Sequence, residues 1–150
     1  MYLLSKPKTH LSDVRVTATL DEHYVEGVLE VEVICSQVCR GEVDLALIDT
    51  LGATVLTHRQ RIGTDLIDER GRYKDRARAK LKAPSVQAWS AETPNLYRLV
   101  VSLFDEHGEF VECEASDIGF RSVEITDGQL LLNGKALLIR GVNKHEHHPE

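Results

Sequence analysis

The feature that most limits the fold of this chain is an alternation of apolar and polar residues with a period of two. It recurs in run after run, with no long amphipathic helix between the runs. From Asp13 onward, Val14, Val16, Ala18 and Leu20 alternate with Asp13, Arg15, Thr17 and Thr19. A strand sends successive side chains to opposite faces, so such a run puts one face on a core and the other in water. The pattern returns at Leu29, Val31, Val33 and Cys35, with Glu30 and Glu32 outward, and at Val43, Leu45 and Leu47 before the turn Leu51-Gly52. A fourth run covers residues 53–58. Over residues 72–82, Arg76, Arg78, Lys80 and Lys82 face one way and Ala77, Ala79 and Leu81 the other, which predicts a strand with a basic solvent face. Residues 96–104 and 110–118 flank Asp105-Glu106-His107-Gly108-Glu109, a hairpin signal whose glycine supplies a positive φ. The expected fold is all-β: an immunoglobulin-like antiparallel β-sandwich of about seven strands.

After Gly119-Phe120-Arg121 the texture changes. Residues 123–126, 129–132 and 135–140 are short runs separated by the turn pairs Asp127-Gly128 and Asn133-Gly134. Leu130, Leu131, Leu132, Leu137, Leu138 and Ile139 do not alternate, which predicts strands covered on both faces, as barrel strands are. A boundary near Ser122 follows, with a short C-terminal β extension over residues 123–150.

Composition removes several classes of function. A chain of 150 residues has room for one ordinary domain and a remainder, not for two. A hydrophobic fraction of 42% and a charged fraction of 28% belong to globular chains, and a net charge of -6 lacks the basic footprint that nucleic acid requires. No stretch approaches the roughly 20 apolar residues of a membrane span, and residues 1–7 are too short for a signal peptide. A soluble protein with neither nucleic-acid nor membrane partner is expected. The three cysteines, Cys35, Cys39 and Cys113, are odd in number and lack zinc-type pairing, which fits a reducing, cytoplasmic compartment. Cys35 and Cys113 are expected to act as small buried apolar residues.

Three segments carry polar chemistry. The stretch 59–71 is too long and too charged for a tight hairpin, yet contains Leu66 and Ile67 beside Asp68, Glu69 and Arg70. It reads either as a surface excursion whose apolar pair folds back or as a docking arm. In the stretch 89–97, Trp89 is expected to pack at the sandwich edge and Tyr97 within the core or its rim. At the far end, the apolar run 136–139 leads through Gly141 into Asn143, His145, Glu146, His147 and His148, as a barrel strand delivers side chains to an active-site face. As a metal site this cluster is weak, because His147 and His148 would point apart on a strand and zinc-protease spacing is absent. It reads otherwise as a charged tail, or as Asn143 and His145 at the mouth of a barrel, hydrogen-bonding a polar substrate. Since no partner sequence follows that cluster, the chain reads as a piece of a larger enzyme.

Several motifs occur in order: Trp89-Ser90-Ala91-Glu92 with Pro94-Asn95-Leu96-Tyr97, then Gly119-Phe120-Arg121, then Leu132-Asn133-Gly134-Lys135, then Arg140-Gly141-Val142-Asn143-Lys144-His145-Glu146-His147-His148-Pro149. This series resembles glycoside hydrolase family 2 over nearly the whole chain. Ile67-Asp68-Glu69-Arg70-Gly71, followed by Tyr73 and Asp75-Arg76, looks like the lac-type bacterial β-galactosidases rather than the β-glucuronidases or β-mannosidases of that family.

The resemblance implies a parent with a sugar-binding jelly roll, an immunoglobulin-like domain and a (β/α)8 barrel holding two catalytic glutamates. Residues 1–7 would be the tail of the jelly roll, 8–122 the sandwich and 123–150 the first strands of a truncated barrel. Both glutamates would lie beyond Glu150. A retaining glycosidase needs two carboxyl groups about 5 Å apart, so the piece alone is expected to be inactive. By the same resemblance His145 contacts galactose and stabilises the transition state. Asn143 is a lesser candidate for substrate contact and, with Glu146, is expected to brace the strand end. The loop 61–76, with Leu66, Ile67, Asp68, Glu69 and Arg70, would cross a subunit interface in a homotetramer and complete a neighbour's site. Mg2+ and Na+ belong to the parent, with their ligands outside this piece, and no metal is expected here. The alternatives are a free-standing immunoglobulin-like binding module and, on the histidine cluster alone, a small metalloenzyme.

Overall fold

The computed structural model describes residue 3 and residues 5–63, 75–139 and 141–142. Ten strands follow one another with no helix among the described residues: β1 Leu11–Leu20, β2 Gly27–Cys35, β3 Glu42–Ile48, β4 Thr54–Arg61, β5 Arg76–Ala83, β6 Tyr97–Phe104, β7 Phe110–Ile118, β8 Val123–Thr126, β9 Gln129–Leu132 and β10 Lys135–Ala136. The first seven form a sandwich of the antiparallel sheets β1-β2-β5 and β4-β3-β6-β7, and the last three form a small separate sheet in the order β10-β9-β8. The immunoglobulin-like, all-β expectation holds, with seven strands in the sandwich.

The three interior strands of the sandwich, β2, β3 and β6, show why alternation is a reliable guide. Leu29, Val31, Val33 and Cys35 of β2 are buried against Val43, Leu45 and Leu47 of β3 and Leu99, Val101 and Leu103 of β6, in one core. Each fully buried Leu contributes on the order of 1.5–3 kcal/mol by leaving water. The opposite face of the first sheet is a charge ladder set by register. Glu30 stands across from Lys80 and Glu32 across from Arg78. Glu32 accepts from Arg78 at 2.6 Å and pairs with Arg76 at 3.4 Å and Arg15 at 3.3 Å. Burial pushes the Glu32 carboxyl up, but the guanidinium groups of Arg78 and Arg76 outweigh it and hold the group below the usual carboxylate range. Cross-strand opposite charges of this kind contribute about 0.2–1 kcal/mol each and reinforce register more than stability.

Four expectations need correction. Cys113 is exposed, because β7 is an edge strand whose residues gain little cover from the core. The last described strand, β10, is only Lys135–Ala136 rather than a run through 139. Leu137, Leu138 and Ile139 are 42%, 75% and 72% exposed, so the leucine-rich end is not covered on both faces by any described residue of this chain. The fourth strand also runs further than expected, to Arg61, because Arg59 and Arg61 pair across it with Asp44 and Glu42.

Candidate functional site

The residues singled out for function divide between two segments. His145 and Asn143 lie outside the described residues, as do Leu66, Ile67, Asp68, Glu69 and Arg70. What the structure describes is the frame from which each segment departs.

The frame of the 64–74 segment closes tightly. Ile62 is buried in the core and its N–H donates to the Gly41 carbonyl at 2.9 Å, while the Gly63 N–H donates to the Arg76 carbonyl at 2.7 Å. On the other stem the Asp75 carbonyl accepts the Cys35 N–H at 2.8 Å. The two stems thus sit side by side and join the edges of the two sheets, β4 and β5.

The frame of the C-terminal segment is the junction between the sandwich and β8–β10. Phe120 is fully buried, edge-to-face on Tyr97 with centroids 5.5 Å apart, and its carbonyl accepts the Trp89 N–H at 2.8 Å. Trp89 is half-buried at the sandwich edge, as expected, with the Arg121 guanidinium stacked 4.8 Å from its ring. A Cβ on Gly119 would come within 2.9 Å of the Trp89 side chain, so the glycine lets the indole lie down. Ser122 then turns the chain: its Oγ accepts the Leu20 N–H at 3.2 Å, and its own N–H donates to Asn133 Oδ1 at 3.0 Å. Asn133 returns its N–H to the Ser122 carbonyl at 2.9 Å, and its Nδ2 donates to the Trp89 carbonyl at 3.0 Å.

Asn133 and Gly134 have φ of 51° and 72°, and Asp127 and Gly128 have φ of 50° and 76°, the two-residue hairpin turns read from the sequence. Gly134 lies against the ring of Tyr24, where any Cβ would come within 2.5 Å of the ring. Tyr24 itself has φ 58°, a left-handed backbone that costs a bulky residue on the order of 1–3 kcal/mol. Its phenol donates to Glu124 at 3.1 Å. Sequence reasoning missed Tyr24, Ser122 and Asn133 as a group. The Asn-Gly pair announced a turn but could not announce where the amide would point.

Elsewhere the chemistry is sparse. Cys35 is buried and hydrogen-bonded to half-buried Cys39, and this bond with burial holds the Cys35 thiol far above its usual range, so it stays protonated. Among the described residues no three His, Cys, Asp or Glu side chains converge to hold a metal. No described helix is long and apolar enough to cross a membrane. A groove of about 390 Å³ lies at the junction beside Tyr24, Ser90, Leu132 and Asn133.

A sandwich of this topology defines an immunoglobulin-like domain, and the comparisons refine that class. Glycosyl hydrolases family 2 matches residues 9–121, and Glycosyl hydrolases family 2, TIM barrel domain, matches residues 123–150. The chain belongs to glycosyl hydrolase family 2. It is 50% identical to the beta-galactosidase of Aeromonas hydrophila over 145 residues, covering 97% of this chain and 14% of that protein. It is 49% identical to the beta-galactosidase of Photobacterium profundum over 148 residues, covering 99% of this chain and 14% of that protein. The chain therefore spans about one seventh of the length of the curated relatives it matches. Among solved structures, Parabacteroides merdae beta-glucuronidase superposes with a TM-score of 0.72 at 22% identity, over 95% of this chain and 17% of that one. Bifidobacterium dentium beta-glucuronidase does so at 0.72 and 19%, over 85% and 20%. At such identity these two likenesses speak to the fold alone.

Proposed function

We propose that this chain is the sandwich and barrel-opening segment of a longer cytoplasmic, tetrameric β-galactosidase that hydrolyses terminal β-D-galactosides with retention. The observation that carries the reading is the match along 97% of the chain to a beta-galactosidase at 50% identity, with both family segments in order. On this reading residues 1–7 end a preceding jelly roll, 8–122 are the linker domain and 123–150 open the barrel. The exposed Ile125, Leu138, Ile139 and Val142 support it, since a free-standing module would leave an apolar strip in water at its end.

The chemistry then falls to the whole protein. One carboxyl group protonates the leaving oxygen and a second attacks the anomeric carbon, the pair about 5 Å apart and both supplied by chain after Glu150. His145 donates a hydrogen bond to a galactose hydroxyl, and that bond tightens as positive charge develops on the sugar ring. Asn143 stands beside it as a lesser substrate contact. Leu66, Ile67, Asp68, Glu69 and Arg70 reach a neighbouring subunit.

Replacing His145 by alanine in the full-length protein tests the reading. Catalytic efficiency on a chromogenic β-galactoside should fall about 100-fold with the fold intact, the loss of one bond made mainly in the transition state. Unchanged efficiency would remove His145 from the site.

A further inference from the structure

The β8–β10 sheet has little packing to hold its orientation. All four residues of β8 are exposed, with Val123 at 60% and Ile125 at 78%. Its angle to the sandwich is therefore set by a few directional contacts rather than by a shared core, and two residues supply most of them. Asn133 uses both ends of its amide: Oδ1 takes the Ser122 N–H and Nδ2 bonds the Trp89 carbonyl. The turn by itself requires only a positive φ, which glycine or aspartate would satisfy, but neither could make both bonds. Tyr24 meets the same turn, in a left-handed backbone conformation, with its ring on Gly134 and its phenol on Glu124. That backbone belongs to the turn 21–26, where the Tyr24 N–H donates to the Asp21 carbonyl at 3.0 Å, and the turn presents the ring and phenol to the β8–β10 unit.

We propose that Tyr24 and Asn133 are positioning residues for the glycosidase reaction: they latch β8–β10 to the sandwich at one angle, so that the chain after Ala136 reaches the reacting centre in register. The inference rests on the functional reading above. Neither residue touches substrate. Their effect runs through placement, and a misplacement near 1 Å can cost about 100-fold in rate.

The test uses the full-length protein with Asn133→Gly and Tyr24→Gly, both of which keep the left-handed backbone and remove the latch. Amide exchange in peptides covering residues 123–136 should rise about tenfold or more, while peptides from β2, β3 and β6 stay as in the parent. On a chromogenic β-galactoside kcat should fall about 10- to 100-fold with KM within about threefold. Tyr24→Gly also relieves strain, so a thermal midpoint at or above the parent's together with the lower kcat is the signature of positioning rather than of stability. Unchanged exchange over 123–136 overturns the latch. Faster exchange with kcat at the parent's level overturns its role in the reaction. An unmodified full-length protein that is inert on β-galactosides counts against the functional reading instead, and exchange still decides the latch.

Discussion

Gln87 donates its backbone N–H to the phenol oxygen of Tyr97 at 2.8 Å, tying the stretch before Trp89 to the first residue of β6. Tyr97→Phe keeps the ring and its edge contact with Phe120 but removes the acceptor. The expected loss is about 1–2 kcal/mol in a denaturant titration, the cost of stranding a partly buried donor. A loss below about 0.3 kcal/mol would show that water replaces the phenol freely.

Trp89 covers the end of the sandwich but remains half-buried, so Trp89→Ala should cost about 2–3 kcal/mol, short of the 3–5 of a fully buried aromatic. Arg121→Ala, which removes a stacked cation at a solvent-facing site, should cost about 0.5–1 kcal/mol. Gly119→Ala tests the same contact from beneath. The new methyl group meets the indole, and a loss of about 1–3 kcal/mol is expected from the displaced ring. Equal stabilities across the three variants would detach Trp89 from the sandwich end.

Asp21 and Asp105 sit in hairpins and accept backbone N–H groups, and this gives a pH dependence with a definite sign. The N–H groups of Val25 and Glu26 hold Asp21 below the usual aspartate range against an opposing pull from burial, and those of Glu109 and His107 do the same for Asp105. The ordinary value is 3.8 and the folded value lies below it. Their contribution is therefore complete above 3.8 and is lost as pH falls through the lower, folded value. Unfolding midpoints measured from about pH 5 to pH 2 should drop less steeply in Asp21→Asn and Asp105→Asn, which keep an acceptor that does not titrate. Slopes equal to the parent's would assign the acid sensitivity to other carboxyl groups.

Where the sequence was legible, the reason was geometric. Alternation in β2, β3 and β6 follows from strands with one face on a single core, and the turn pairs at 127–128 and 133–134 follow from backbone that Gly, Asn and Asp tolerate. Cys113 was misjudged because period-two spacing does not say whether a strand lies at a sheet edge. The run Leu137, Leu138, Ile139 carries a pattern written for neighbours that no described residue supplies. Asn133 illustrates a different limit. Its turn is local, but the partners of its amide, Ser122 and Trp89, lie 11 and 44 residues away in sequence. The residues offered for function, His145 and the apolar loop pair Leu66 and Ile67, lie outside the described residues, so their roles rest on family resemblance.

Charge reversal tests the proposed subunit contact. In the full-length protein, Asp68→Lys or Glu69→Lys should weaken tetramer assembly and galactoside hydrolysis together, since a reversed charge at a close interface repels what it formerly attracted. Sedimentation and activity measured on the same samples decide it. An intact, fully active tetramer in both variants would return the segment to ordinary surface.

The central claim, that this chain is scaffold for a reaction whose carboxyl groups it does not carry, is tested most directly by assaying the purified 150-residue chain and the full-length protein side by side on one chromogenic β-galactoside. The full-length protein should turn over and the chain should not. Turnover by the chain itself, surviving a contamination control, would contradict the account.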